Sequence, residues 1–509
     1  MNRDAAADPL ARDQDPPTFE GAESGAFIDG EWRRTEGSHV FTVTEPATGQ
    51  RLRQVEASGA SEVGAAVSSA KQRFAEDWRW RSPRERGVLM RKVAAQIRER
   101  SDELAELEAR EVGKPRRDAA RFDINYCQGA WDYFGGLADT LHGELLDQGP
   151  IEARVLLEPY GVVAAILPFN WPPIHFSKKC APAIAAGNTV VIKPGEQAPL
   201  TVLRLVEIAN QVLPPGVINA VSGLEAGATL SGNPDVSRIS FTGATATGRR
   251  VLRTAAENLT FATMELGGKN ALVVLADADL DLALDVALEG MYYNQGEACT
   301  STARILVHES IHDEFVARFA RASQQLVVGD PLDPATDIGP MVDKRQQERV
   351  LEYIEIAKSE GARLIAAGTL PQEEHLRHGY WVAPTVFTGV EPEMRIAQEE
   401  IFGPVAGVIR FSDEDEAVRI ANHSSYGLTA ALCTRDETRA WHLAQRLEAG
   451  MVFINNYMRR AFLGSPFGGV KGSGFARENA IETLREFVRS KNVRFPSGRG
   501  EIPTWPPRD

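Results

Sequence analysis

Cysteine is scarce in this chain: four residues, Cys127, Cys180, Cys299 and Cys433, in 509, with no CxxC pair. That scarcity excludes a disulfide framework and a cysteine-based zinc site, and points to a reducing, cytoplasmic setting. Histidine is sparse too, nine residues without an HExxH or comparable ligand spacing. The closest pairs, His308/His312 and His375/His378, stand among polar neighbours and read as surface residues, so no metal is expected. No run approaches ~18 uninterrupted apolar residues, so no membrane-spanning helix is expected. Basic residues are outnumbered, 56 Lys plus Arg against 70 Asp plus Glu for a net charge of −14, which opposes attraction to nucleic acid or anionic membranes. Residues 1–24 are polar and acidic, with no stretch resembling a signal peptide, and read as a flexible tail.

What is present is an ordinary globular composition, 43% hydrophobic and 25% charged, long enough for two or three domains. Residues 76–112 carry a charged amphipathic pattern that predicts surface helices. After Pro150 the rhythm changes. Residues 155–159 and 161–168 read as strands, the second fully buried, and then a helix ending at Gly187, strand 189–192, helix 199–212, strand 217–221, a short helix near Ala226, strand 237–241 and helix 245–257 alternate strictly. Such alternation builds right-handed crossovers and a doubly wound parallel sheet, which binds ligands beyond the carboxyl ends of its strands. A second alternating α/β region begins at residues 271–275 and continues through helix 280–293, strand 304–308, helix 313–326 and strands at 405–411 and 451–454.

Chemistry concentrates in a few segments. Cys299 lies in Asn294-Gln295-Gly296-Glu297-Ala298-Cys299-Thr300, and Met264-Glu265-Leu266-Gly267-Gly268-Lys269-Asn270 stands upstream, with Glu265 34 residues before the thiol. A thiolate attacks carbon, and a carboxylate that takes protons from the thiol or from water makes such a site work; a lone cysteine also fits a buried, inert role. Phe241-Thr242-Gly243-Ala244-Thr245-Ala246-Thr247-Gly248 turns a strand into a helix with spacing that lets backbone approach a pyrophosphate, although glycine turns are common there. In Lys193-Pro194-Gly195-Glu196, a carboxylate after the second strand suits both hydroxyls of an adenosine ribose and repels a 2′-phosphate, favouring NAD over NADP; an exposed Lys/Glu pair is the plainer reading. Asn170, in Pro168-Phe169-Asn170-Trp171-Pro172, is placed to donate to an oxyanion, a contact worth roughly 3–4 kcal/mol in a transition state. Glu400 and Phe402, in Glu399-Glu400-Ile401-Phe402-Gly403-Pro404, offer a carboxylate to a ribose and a ring to a flat ligand.

Together with Pro466-Phe467-Gly468-Gly469-Val470-Lys471-Gly472-Ser473-Gly474, these motifs resemble the aldehyde dehydrogenase superfamily, from about Gly25 to Phe495. The resemblance implies that Cys299 attacks an aldehyde, that Asn170 and the Cys299 backbone N–H hold the oxyanion, and that Glu265 activates the water that hydrolyses the thioester. It implies that Lys193 and Glu196 hold the adenosine ribose, Gly223 and Thr247 the adenine, and Glu400 and Phe402 the nicotinamide ribose and ring, with Ile166, Phe241, Gly243, Gly248 and Leu266 completing the cofactor set. Lys179 and Glu478 match positions of a proton path. The implied fold is α/β: a Rossmann-like nucleotide-binding domain (25–146 and 161–267), a second α/β catalytic domain (268–478) and a small bridging, oligomerising β element (147–160 and 479–500). A homodimer or homotetramer is expected.

Two departures stand out. Ala244 replaces a serine the family uses near the pyrophosphate, a loss of about 1 kcal/mol unless replaced. Glu297 stands where Gln is common, and is expected to point away from the thiol. For the substrate, Phe134, Leu137, Phe462 and Phe467 suggest an apolar tunnel and a medium-sized apolar or aromatic aldehyde; Arg459 and Arg460 suggest an alternative, a semialdehyde with an anionic tail. A cysteine esterase or thioesterase on the same fold, and a binding protein without chemistry, are the competing functions.

Overall fold

The computed structural model describes residues 19, 21, 23–34, 39–458, 463–502 and 505. Residues 1–18, most of the expected tail, and Arg459, Arg460 and Phe462 lie outside the described residues.

The alternating pattern after Pro150 forms one sheet. Its order is Gly474–Phe475, Phe261–Glu265, Arg238–Thr242, Val162–Ile166, Thr189–Lys193, Ile218–Ala220, Ala26–Ile28, Glu31–Arg33. The five strands between 162 and 265 pair in parallel, and the outermost strands at both edges run antiparallel. Val162–Ile166, at the middle of the sheet, is apolar on both faces because both faces are covered. Val163, Ala165, Val190 and Ile192 pack with Trp131, Phe134 and Phe176, while Val162, Ala164, Ile166 and Val191 pack with Val63, Val67 and Val251, the two-residue period of a pleated strand. From Val162–Ile166 the chain builds outward first through Thr189–Lys193 and then, on the other side, through Arg238–Thr242. That reversal leaves a crevice at the carboxyl ends of the strands.

The second sheet has the order Arg363–Ala367, Thr385–Thr388, Val405–Phe411, Arg304–His308, Ala271–Val274, Thr429–Cys433, Met451–Ile454, and only its first pair is antiparallel. The unit expected over 268–478 also sends Gly474–Phe475 back to pair with Met264 and Glu265 in the first sheet. A three-stranded antiparallel sheet joins Glu144–Gln148, Ile151–Pro159 and Val488–Pro496.

The surface helices expected at 76–112 are corrected by the structure. Helices occupy Ala60–Glu76, Pro83–Glu99 and Ser101–Val112, and the last is mostly interior. Glu108, Glu111 and Lys114 are fully buried. Lys114 Nζ bonds Glu108 Oε1 at 2.8 Å and also Asp123, and Glu111 accepts the backbone N–H groups of Leu200 and Thr201 at 2.7 and 2.8 Å. The charges that predicted a solvated face are paired with one another or capped by backbone amides instead. His312, expected at the surface, is also buried, against Asp313 and Arg410.

Candidate active site

The register of the first sheet lines up the predicted groups. Phe241 pairs with Ile166, Ile166 with Lys193, and Thr242 with Glu265, so Ile166, Lys193, Thr242 and Glu265 all end their strands on one edge. The second sheet meets that edge with its amino end, since Cys299 comes just before Arg304–His308. The two sheets close on a cavity with ≈440 Å³ of atom-free space including its mouth, lined by Phe122, Trp171, Ile174, His175, Lys178, Thr242, Glu265, Cys299, Thr300, Phe467 and Glu478.

The Cys299 loop is held stiffly. Asn294, Gln295 and Gly296 take left-handed φ values of 56°, 46° and 72° in succession, a strain that persists because surrounding bonds over-determine it. Asn294 Nδ2 donates to the carbonyls of Asn170 (3.0 Å) and Glu297 (3.1 Å), and Asn270 Nδ2 donates to those of Cys299 (2.8 Å) and Ser301 (2.9 Å). Gly268 must be glycine, since a Cβ there would stand 2.2 Å from the Cys299 carbonyl oxygen. Cys299 is the one partly exposed thiol; Cys127, Cys180 and Cys433 are buried, and burial pushes the Cys433 thiol up to about 12 and the other two higher still.

Asn170 is buried against the Cys299 loop. One of its two side-chain N–H groups goes to the Glu297 carbonyl at 2.9 Å, and His175 Nε2 lies 3.3 Å from its Oδ1. Glu265 is buried with no bond to either carboxylate oxygen; burial, then the charge of Glu478, pushes its carboxyl well above the usual range, against the pull of Lys178, Lys179 and Arg477. Glu478 accepts from Lys179 at 2.6 Å, and the two lysines hold its carboxyl below its ordinary value despite burial. Glu297 points away from the thiol, as expected: its carboxylate accepts Gln295 Nε2 (2.9 Å) and the Val342 N–H (3.1 Å).

The groups predicted for a dinucleotide fit one. Lys193 pairs with Glu196 beyond their strand. Helix Thr245–Glu257 starts at Ala244 with no side-chain cap, a helix N-terminus that an anion suits. A Cβ at Gly243 would meet the Phe241 ring at 2.7 Å, keeping that backbone bare, and Gly248 packs against Leu266. Gly223 caps helix Leu224–Ser231 with φ of 103°, and Thr247 is partly exposed, its hydroxyl taking Arg250 Nη2 at 3.1 Å. Glu400 accepts the Gly268 N–H at 2.9 Å, and burial raises its carboxyl to about 7. Phe402 sits at φ of 63°, its ring edge-on to Phe169 at 5.9 Å.

Two expectations about the cavity wall need correction. Phe134 is fully buried in the core, edge-on to Tyr133, and Leu137 packs beside that core, because their helix, Asn125–Leu137, turns them toward the first sheet. Phe467 does line the cavity. Phe122, Trp171, Ile174, His175 and Lys178 were missed. The available signal was the one-turn spacing of His175 and Lys178 behind Asn170, on a helix starting at Pro172.

A doubly wound sheet whose carboxyl edge meets an accessible thiol and a buried carboxylate is the construction of a dinucleotide-linked oxidoreductase. The chain belongs to the aldehyde dehydrogenase family, whose model, described as "Aldehyde dehydrogenase family", matches residues 32–493. It is 47% identical to the aldehyde dehydrogenase citD of Monascus ruber over 94% of this chain and 96% of that one. It is 39% identical to a chloroplastic betaine aldehyde dehydrogenase of Amaranthus hypochondriacus, over 94% and 97%. Among solved structures, PnpE in complex with nicotinamide adenine dinucleotide superposes with a TM-score of 0.92 at 39% identity, covering 96% of this chain and 100% of that one. Betaine aldehyde dehydrogenase of Staphylococcus aureus in complex with NAD+ gives 0.91 at 34%, covering 94% and 96%.

Proposed function

We propose that the chain oxidises an aromatic or apolar aldehyde to its carboxylic acid with NAD, through a covalent thioester on Cys299. The observation that carries this reading is that Cys299, Glu265 and Thr242 line one cavity, at the edge where the dinucleotide groups end their strands. When bound, NAD supplies the hydride acceptor.

The chain's own residues do the rest. Cys299 Sγ, as a thiolate whose proton has passed to solvent, adds to the aldehyde carbon and forms a thiohemiacetal anion. The free N–H of Asn170 and the Cys299 backbone N–H hold its oxygen. Loss of hydride leaves a thioester, and Glu265, once it has given up its proton, takes one from the water that hydrolyses it. Glu478 and Lys179 carry that proton away from Glu265. Lys193 and Glu196 hold the adenosine ribose, the carboxylate repelling a 2′-phosphate. Phe122, Trp171, Ile174 and Phe467 give the substrate apolar walls, which favours a medium-sized apolar or aromatic aldehyde.

The working form is a homodimer or homotetramer. Its support is the apolar load on the three-stranded sheet, where Leu145, Leu146, Leu156 and Phe495 are exposed. The four free thiols suit a reducing cytoplasm. Among the described residues no helix is long and apolar enough to cross a membrane. Following NADH absorbance with a panel of aldehydes tests the proposal: ester cleavage without NADH from any aldehyde would replace oxidation with an esterase.

A further inference from the structure

Lys178 is a buried cation inside the substrate cavity. It follows His175 by one turn on helix Pro172–Ala185, lines the cavity with Cys299, and is 5% exposed. Its ammonium lies 3.8 Å from the Phe467 ring centroid and 3.5 Å from Glu478 Oε2. The other oxygen of Glu478 belongs to Lys179, at 2.6 Å. Two buried ammonium groups therefore share one carboxylate.

Glu265 and His175, which line the same cavity, are both shifted toward their neutral forms. Burial and the Glu478 charge push the carboxyl of Glu265, the second acid in the cavity, well above the usual range, which opposes a second negative charge there. His175 stays neutral, since burial and then Lys178, Lys179 and Lys114 push its imidazole well down, and its Nδ1 has no partner. An excess positive charge within apolar walls is unfavourable until an anion joins it. Phe122, Trp171 and Phe467 present aromatic surface around the same space, which suits a flat ring better than a flexible chain.

We propose that Lys178 forms an anion subsite, and that the preferred substrate is an aromatic aldehyde whose ring bears an anionic oxygen, phenolate or carboxylate. The substrate claim rests on the aldehyde-oxidising role of Cys299 and Glu265; the subsite does not.

Unreactive ketones separate the two. Calorimetry on the full chain with NAD present compares acetophenone, 4-hydroxyacetophenone at a pH where its phenol is ionised, and 4-acetylbenzoate. The charged ketones should bind about 10-fold or more tightly than acetophenone. Lys178→Met should erase that preference and Lys178→Arg retain most of it; Lys178→Gln serves if the Met variant does not fold. The kcat/KM ratios of the matching aldehydes should follow, and whichever charged ring binds more tightly names the group. Equal affinity of charged and neutral ketones for the wild type overturns the proposal, as does a preference that survives loss of the ammonium. A charged-ketone preference without NADH from any aldehyde leaves the subsite standing and refutes oxidation, whereas NADH without the preference does the reverse.

Discussion

The carboxylate of Glu297 accepts the backbone N–H of Val342 at 3.1 Å, turning the acid two residues before Cys299 away from the thiol and into the core. Burial pushes this carboxyl well above its ordinary value of 4.5. A raised folded value means that the unfolded chain loses its proton first, so the stability linked to this group is full below about 4.5 and falls as pH rises toward the folded value. Glu297→Gln removes that dependence. Its urea midpoint, compared with the wild type, should improve progressively from acid to neutral pH, with kcat/KM within about 3-fold; a pH-independent difference contradicts the assignment.

Glu265 is buried without a bond to either oxygen, which suits a group that acts on water rather than one that braces the fold. Glu265→Gln should leave a rapid NADH burst near one per site and lower steady turnover by about 10²–10⁴. In the wild type, turnover should rise with pH as the raised carboxyl loses its proton. A variant that loses burst and turnover alike would mean that Glu265 serves the thiol instead.

The Lys193–Glu196 pair is proposed to hold the adenosine ribose and so to set the cofactor preference. Glu196→Ser removes the charge that repels a 2′-phosphate, so the ratio of kcat/KM for NAD over NADP should fall about 10-fold or more. An unchanged ratio removes Glu196 from the ribose site.

Beneath the cavity, Lys114 stands 5.4 Å from the Trp171 ring centroid and holds Glu108 and Asp123. Lys114→Met leaves those acids buried without their cation and should cost about 3–5 kcal/mol in urea unfolding. Adding Glu108→Gln and Asp123→Asn should recover most of it; a single variant as stable as the wild type contradicts the network.

Period and composition were enough to read the alternation of strands and helices from Val162 to Glu257, because the strands there are short buried runs rich in Val, Ile and Ala. The ends of those strands carried Lys193, Thr242 and Glu265 with them. What stayed hidden depends on pairing between distant segments. Glu108 looks solvent-exposed until it is seen paired with the buried Lys114, and Gly474–Phe475 joins the first sheet from more than 200 residues away in sequence. Phe134 shows the same limit on a single helix: an aromatic residue resembled a tunnel wall, and only packing places it in the core.

The covalent role of Cys299 is tested most directly by rapid-quench peptide mass spectrometry on Glu265→Gln mixed with NAD and benzaldehyde. A benzoyl adduct is expected on the Cys299 peptide, accumulating in step with the NADH burst, with neither burst nor adduct in Cys299→Ala. A full burst with no acyl group on Cys299 would contradict it.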